Sequence, residues 1–194
     1  MLSDARYRAW VVKQVKDPMV RSFWVNEFEN YDKKFLLEAI APIQNKVGQL
    51  LMSPHVRNIL GQIKSRMDAR YMMDRGHIFI ANMSKGKLGA DKANLMGALL
   101  VAQFQLAAMA RADTPENERR DFHLYVDEFQ SFASDSFISI LSEARKYRLC
   151  LTLSHQYMEQ LRPEIRDAVF GNVGSMVAFR VGHRDAKVLE QVFG

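Results

Sequence analysis

Hydrophobic and polar positions fall into two regimes that change near residue 76. Through residues 1–75 the apolar positions recur at helical spacing: Phe35, Leu36, Ala39 and Ile40, then Val47, Leu50 and Leu51. Asp17-Pro18 and Ser53-Pro54 each set a capping side chain before a proline, which predicts helix starts at both places. Ala41-Pro42 predicts a further break, because proline disfavours helix in the residue before it. Gly76 follows Tyr-Met-Met-Asp-Arg and is expected to close a helix. The expectation for residues 1–75 is an all-α region.

From residue 77 the pattern alternates between short apolar runs and longer amphipathic ones. Strands are expected at 77–81 (HIFIA), 122–126 (FHLYV), 149–153 (LCLTL) and 176–179 (MVAF). Helices are expected at 91–111, 137–147, 165–170 and 185–193, with a loop at 82–89 and a polar one at 113–120. Apolar strands separated by helices predict an α/β fold with a mostly parallel sheet covered on both faces. The expected division is 1–75 and 76–194. No repeat or low-complexity stretch interrupts it.

Composition adds exclusions. The chain has 194 residues, 48% hydrophobic and 25% charged, which is a globular balance and rules out disorder, collagen and coiled-coil arrays. Its longest uninterrupted apolar runs fall well short of the roughly 18 residues of a membrane span. The first residues, MLSDARYRAW, do not form a secretory signal. One cysteine, Cys150, excludes an intrachain disulfide and a cysteine-built zinc site, and fits a reducing, cytoplasmic compartment. The histidines, His123 and His155 among them, show no ligand spacing. Met67, Met72 and Met73 read as core filling.

Charge is informative once divided. Residues 1–80 hold 13 Lys/Arg and 8 Asp/Glu, whereas 81–194 hold 14 of each, so the whole excess of +5 lies in the first part. A basic helical region suits an anionic partner such as DNA, although a solvated helical surface gives the same count.

The candidate chemistry lies where the 122–126 strand ends in Asp127-Glu128. Ligands of open parallel sheets bind beyond the carboxyl ends of their strands. An aspartate there suits Mg²⁺, which takes few carboxylates and keeps its waters. A glutamate beside it suits deprotonation of a water attacking a γ-phosphate. The alternative for this pair is a helix N-terminus, where acids are favoured. Two more features stand in order after it. Arg145 and Lys146 end the next helix, where a guanidinium can serve a neighbouring subunit or merely complement the helix dipole. Gln156 follows the 149–153 strand within Ser-His-Gln, where an amide can meet both an attacking water and a phosphate.

The run LYVDEFQSFASDSFISILSEARKYRLCLTLSHQYMEQL resembles the motor core of the HerA/FtsK-type superfamily, and more narrowly the conjugative type IV secretion coupling proteins and their TraG/TraD-like relatives. The flanking stretches DPMVRSFWVNEF, PIQNKVGQLL and NVGSMVAFRVGHRDAKVLEQVF are similar to segments of the same group, so the resemblance spans nearly the whole chain. It implies a partial RecA-like P-loop NTPase core behind an all-α, DNA-facing region. It implies Asp127 as the Walker B metal-site acid, Glu128 as catalytic base, Gln156 as γ-phosphate sensor and Arg145 as an arginine acting across a subunit interface, with Lys146 beside it. ATP and Mg²⁺ are the implied cofactors. DNA, further copies in a ring, usually a hexamer, and type IV secretion components at the inner membrane are the implied partners.

One departure is large. No G-x-x-x-x-G-K-[ST] phosphate-binding loop occurs, and the nearest string, Ser-Lys-Gly-Lys-Leu-Gly at 84–89, has the wrong spacing and reads as a glycine turn. The expectation is therefore the C-terminal portion of a longer DNA-translocating ATPase, inactive alone. The alternatives are a non-catalytic assembly subunit and a DNA-binding helical module on an inert α/β platform.

Overall fold

A computed structural model describes residues 1–133 and 135–193, in two compact units, Met1–Gly61 and Gln62–Gly194.

The first unit is helical. Helix α1 (Ala5–Gln14) starts at Asp4, whose carboxylate accepts the Tyr7 N–H. Helix α2 (Pro18–Ser22) starts at Asp17, which accepts from Met19 and Val20 N–H groups as the Asp-Pro pair predicts. A π-helical turn (Phe23–Glu27) and a 3-10 turn (Phe28–Asn30) follow. There the Trp24 and Phe28 rings lie 4.7 Å apart, with the Arg8 guanidinium 5.0 Å from the Phe28 centroid. Helix α3 (Lys33–Leu51) runs straight through Pro42, contrary to the expected break. The physical reason is exposure: the Glu38 carbonyl that proline leaves without a donor lies on a solvent-facing turn, where its loss is least costly. Helix α4 (Pro54–Leu60) closes the unit.

The second unit begins before the expected boundary. Helix α5 (Ala69–Arg75), ended by Gly76 in the left-handed conformation (φ 67°), packs on α7 (Ala90–Met109) and so belongs with the sheet. The loop between them carries a short helix, α6 (Lys85–Leu88). Strands β1 (Phe122–Val126) and β2 (Leu149–Leu153) pair in parallel, with Phe122 opposite Leu149 and Val126 opposite Leu153. Helix α8 (Asp135–Glu143) and a 3-10 turn (Ala144–Tyr147) join them. Helices α9 (Pro163–Asn172) and α10 (His183–Phe193) complete the unit, with α9 against α8. Phe104, Phe122, Phe129, Phe137, Ile140, Leu149 and Ile165 form its buried centre. The chain is thus mostly helical with a small parallel sheet, which is compatible with an α/β fold.

The two outer strands expected from sequence are not formed. Residues 77–81 and 176–179 carry no strand, and Ile78, Ile80, Val177 and Phe179 stand 78–90% exposed. An apolar run marks a segment suited to a sheet, but a strand exists only through a ladder to a neighbour. Among the described residues no further strand pairs with either edge of the two. Phe122 N–H donates to the Arg148 carbonyl (2.9 Å) and Ser154 N–H to the Val126 carbonyl (3.0 Å). By the alternation of a parallel ladder, Leu149, Leu151 and Leu153 then turn their N–H and C=O groups away from β1.

Among the described residues one helical stretch, Ala90–Asp113, is long and apolar enough to cross a membrane by length and composition. No uninterrupted apolar run announces it, because Asn, Gln and Gly punctuate it. It buries Val101, Phe104 and Ala108 in the core cluster, as the central helix of a packed domain does.

Candidate functional site

The acid pair and the glutamine meet at the carboxyl end of the sheet. Parallel pairing puts the ends of β1 and β2 side by side, so Asp127-Glu128 and Ser154-His155-Gln156 emerge together. Asp127 is exposed and its Oδ1 accepts from the Ser154 hydroxyl and the Glu128 N–H. Glu128 is half-buried and its backbone is left-handed, with φ 52° and ψ 42°. A non-glycine residue there costs of order 1 kcal/mol and persists only where the surroundings fix it. Here they do. Phe129, fully buried, donates its N–H to the Ser154 carbonyl (3.0 Å), and Ser131 N–H donates to the Glu128 carbonyl (2.9 Å).

The Glu128 carboxylate is gripped on both oxygens. Gln156 Nε2 donates to Oε1, and Gln130 Nε2 donates to Oε2 at 2.6 Å. Neither acid caps a regular helix: the turn after them, Phe129–Ser131, receives no side-chain cap from Glu128. Glu128 does stand at the N-cap position of that 3-10 turn, as the helix-start alternative expects, but its side chain bonds to the two glutamines instead of capping.

Arg145 lies elsewhere. It sits exposed with Lys146 on the 3-10 turn Ala144–Tyr147, which leads into the start of β2. The length of one five-residue strand separates it from Asp127, about 16 Å along the sheet. It cannot reach the acids of its own chain.

Sequence reasoning missed three members of the site. Ser154 and Gln130 touch the acids directly, and Lys85 Nζ donates to Ser131 Oγ (2.9 Å), bringing the 82–89 loop beside the turn that follows them. Ser154 and Gln130 lie within the Ser-His-Gln and Asp-Glu-Phe-Gln strings, but only the strand register brings Ser154 to Asp127, and only the local turn folds Gln130 back onto Glu128. Ser84–Gly89 is the short helix α6 with its caps rather than a free glycine turn.

The donor set fits a magnesium ion held by one carboxylate, a neighbouring hydroxyl and waters, the usual manner for that ion. Among the described residues no group of three His, Cys, Asp or Glu forms a protein-built metal cage. For triphosphate the fit is incomplete. Gln156 and Ser154 offer polar contacts, but no backbone cradle or P-loop lysine is present in the sequence. No family model, curated protein or solved structure matches the chain.

Proposed function

We propose that the chain is the C-terminal portion of a ring-forming, DNA-translocating ATPase of the type IV secretion coupling protein or HerA type, with its second unit part of a RecA-like core. The observation that carries this reading is the convergence of Asp127, Glu128 and Gln156 at the carboxyl ends of adjacent parallel strands, with Gln156 bonded to Glu128. In this reading Asp127 would hold Mg²⁺, Glu128 would accept the proton of an attacking water, and Gln156 would contact the γ-phosphate. Bound ATP with Mg²⁺ supplies the phosphoryl group whose transfer these residues serve. The remoteness of Arg145 from its own acids fits an arginine offered to the next subunit of a ring, a hexamer in this reading. The outward N–H and C=O groups of Leu149, Leu151 and Leu153 suit a further strand belonging to a P-loop half, without which the chain does not turn over ATP.

The first unit, with 9 Lys/Arg against 6 Asp/Glu, is the DNA-facing part in this proposal. Type IV secretion components and a cytoplasmic site at the inner membrane belong to the same reading. A second reading has support in that separate basic helical unit: a DNA-binding or assembly subunit without catalysis.

The test is reconstitution with a P-loop-bearing half supplied as a separate chain. Magnesium-dependent hydrolysis that needs both halves and is abolished by Glu128→Gln supports the motor. Hydrolysis by the 194-residue chain alone, abolished by Glu128→Gln, overturns its dependence on a second half. Salt-dependent DNA binding by the whole chain with no hydrolysis in any combination favours the second reading.

A further inference from the structure

We infer that Gln130 is a positioning residue for Glu128, and that it and Gln156 form an unequal clasp in which Gln130 holds and Gln156 exchanges. The functional consequence rests on the proposed ATPase reading; the clasp itself does not.

The two glutamines differ in how they are held. Gln130 is half-buried in the turn Phe129–Ser131, whose ends are tied by the Ser131 N–H to Glu128 carbonyl bond. Its Oε1 is buried without a hydrogen-bond partner, so the amide is committed to one orientation by its Nε2 bond to Glu128 Oε2. A buried unsatisfied carbonyl is costly and is retained only where the rest of the group is needed. Gln156 is exposed, on the irregular segment after β2, so another acceptor can approach its amide from solvent.

The chemistry follows from lone pairs. Each carboxylate oxygen has about two acceptor positions, and each bond from an amide N–H occupies one of them. With Gln156 on Oε1 and Gln130 on Oε2, a water approaching Glu128 meets a carboxylate already engaged on both oxygens. Transfer of the Gln156 amide to a phosphate oxygen frees Oε1, while Gln130 keeps the carboxylate aimed by Oε2. The left-handed Glu128 backbone leaves little room for a compensating swing, since Phe129 anchors the next residue in the core. One amide therefore sets the direction of the base and the other sets when it is available.

The experiment uses the 194-residue chain without nucleotide, so its outcome is independent of ATPase activity. Nitrogen-15 spectra report the side-chain NH₂ groups of Gln130 and Gln156, whose carboxylate-bonded protons are shifted downfield. Glu128→Ala should abolish both downfield signals. Gln156→Ala should leave the Gln130 signal in place, whereas Gln130→Ala should abolish the Gln156 signal as the carboxylate loses its aim. Backbone amide spectra check that each variant is folded. Persistence of the Gln130 signal in Glu128→Ala, or of an unchanged Gln156 signal in Gln130→Ala, overturns the assignment. Either result leaves the reconstitution test of the ATPase standing, and failure of that test leaves these signals unaltered.

Discussion

Arg111 is wholly buried at the end of α7, and its Nε donates to Asp74 Oδ1 at 2.8 Å. Its Nη1 donates to the carbonyls of Arg120 (2.9 Å) and Tyr147 (3.2 Å). One guanidinium thus ties α5 to the entries of both strands, at the end of the sheet opposite the acids. Arg119 adds a bond to the Lys146 carbonyl on the turn that carries Arg145. The turn presenting the exposed arginine is fixed from beneath.

Removing Asp74 leaves a buried cation without its counter-ion. Breaking a buried pair this way costs about 3–5 kcal/mol, reduced here because the Asp74 side chain is 43% exposed. Asp74→Ala is expected to destabilise by about 2–3 kcal/mol in urea unfolding followed by circular dichroism. Glu38→Ala, on exposed α3, should change little. Equal effects for the two would remove the buried pair from the account of stability.

Arg70 grips Asp113 with two bonds, Nη1 to Oδ2 at 2.9 Å and Nη2 to Oδ1 at 2.6 Å. The hydrogen bonds from Arg70, partly offset by desolvation, hold the Asp113 carboxyl below its ordinary 3.8, and the same pair raises Arg70. A depressed folded-state value means stability that is present above pH 3.8 and is lost as pH falls through the lower, folded value. The raised Arg70 value contributes in the same sense throughout the working range and is lost only at strongly alkaline pH. Stability should therefore fall more steeply below pH 4 in the wild type than in Asp113→Asn. Parallel acid limbs for the two proteins in urea titrations would show that this exposed pair contributes nothing through linkage.

Cys150 lies within β2, and burial, with the charge of Asp121 second, pushes its thiol above the usual range. The thiolate is the reactive form, so a raised value means slow alkylation. At pH 8 iodoacetamide should modify Cys150 several-fold more slowly in the folded chain than in urea. A folded-state rate equal to the unfolded one would mean that the strand does not shield this position.

The acid pair and Gln156 were legible from sequence because each ends an apolar run, and a strand end in a parallel sheet points to a site. Gly76 and Asp17 were legible because a left-handed C-cap and an Asp-Pro start are local. What failed was nonlocal. Ile78 and Ile80 have strand character, but no string reveals whether a neighbouring edge exists to pair with. The boundary at residue 75 missed α5 because only the contact with α7 assigns that helix to the second unit. Pro42 was misjudged because its effect depends on which side of α3 faces solvent. Ser154 needed the register of β1 on β2 before its hydroxyl could be seen facing Asp127, and Gln130 needed the left-handed turn at Glu128 that folds its amide back.

Gly97 sits within α7, where a side chain would meet the ring of Phe132. An ideal Cβ there would lie 2.2 Å from Cδ1 and Cε1 of that ring, which follows directly on the turn carrying Gln130. Replacing a helical glycine by alanine ordinarily stabilises by about 1 kcal/mol. Against that, overpacking a tight contact costs about 1–3 kcal/mol, and displacement of Phe132 would pull on the Glu128 turn as well. The clash should win, so Gly97→Ala is expected to destabilise the second unit by about 1–2 kcal/mol. Gly48→Ala makes the contrast: it lies in α3 with nothing within 4 Å of the added Cβ, and should stabilise its helix. Hydrogen exchange of the α7 and α3 amides measures both, with protection falling in the first variant and rising in the second. Increased protection of α7 in Gly97→Ala would show that Phe132 does not rest against this helix, and that the turn bearing Gln130 is held by other contacts.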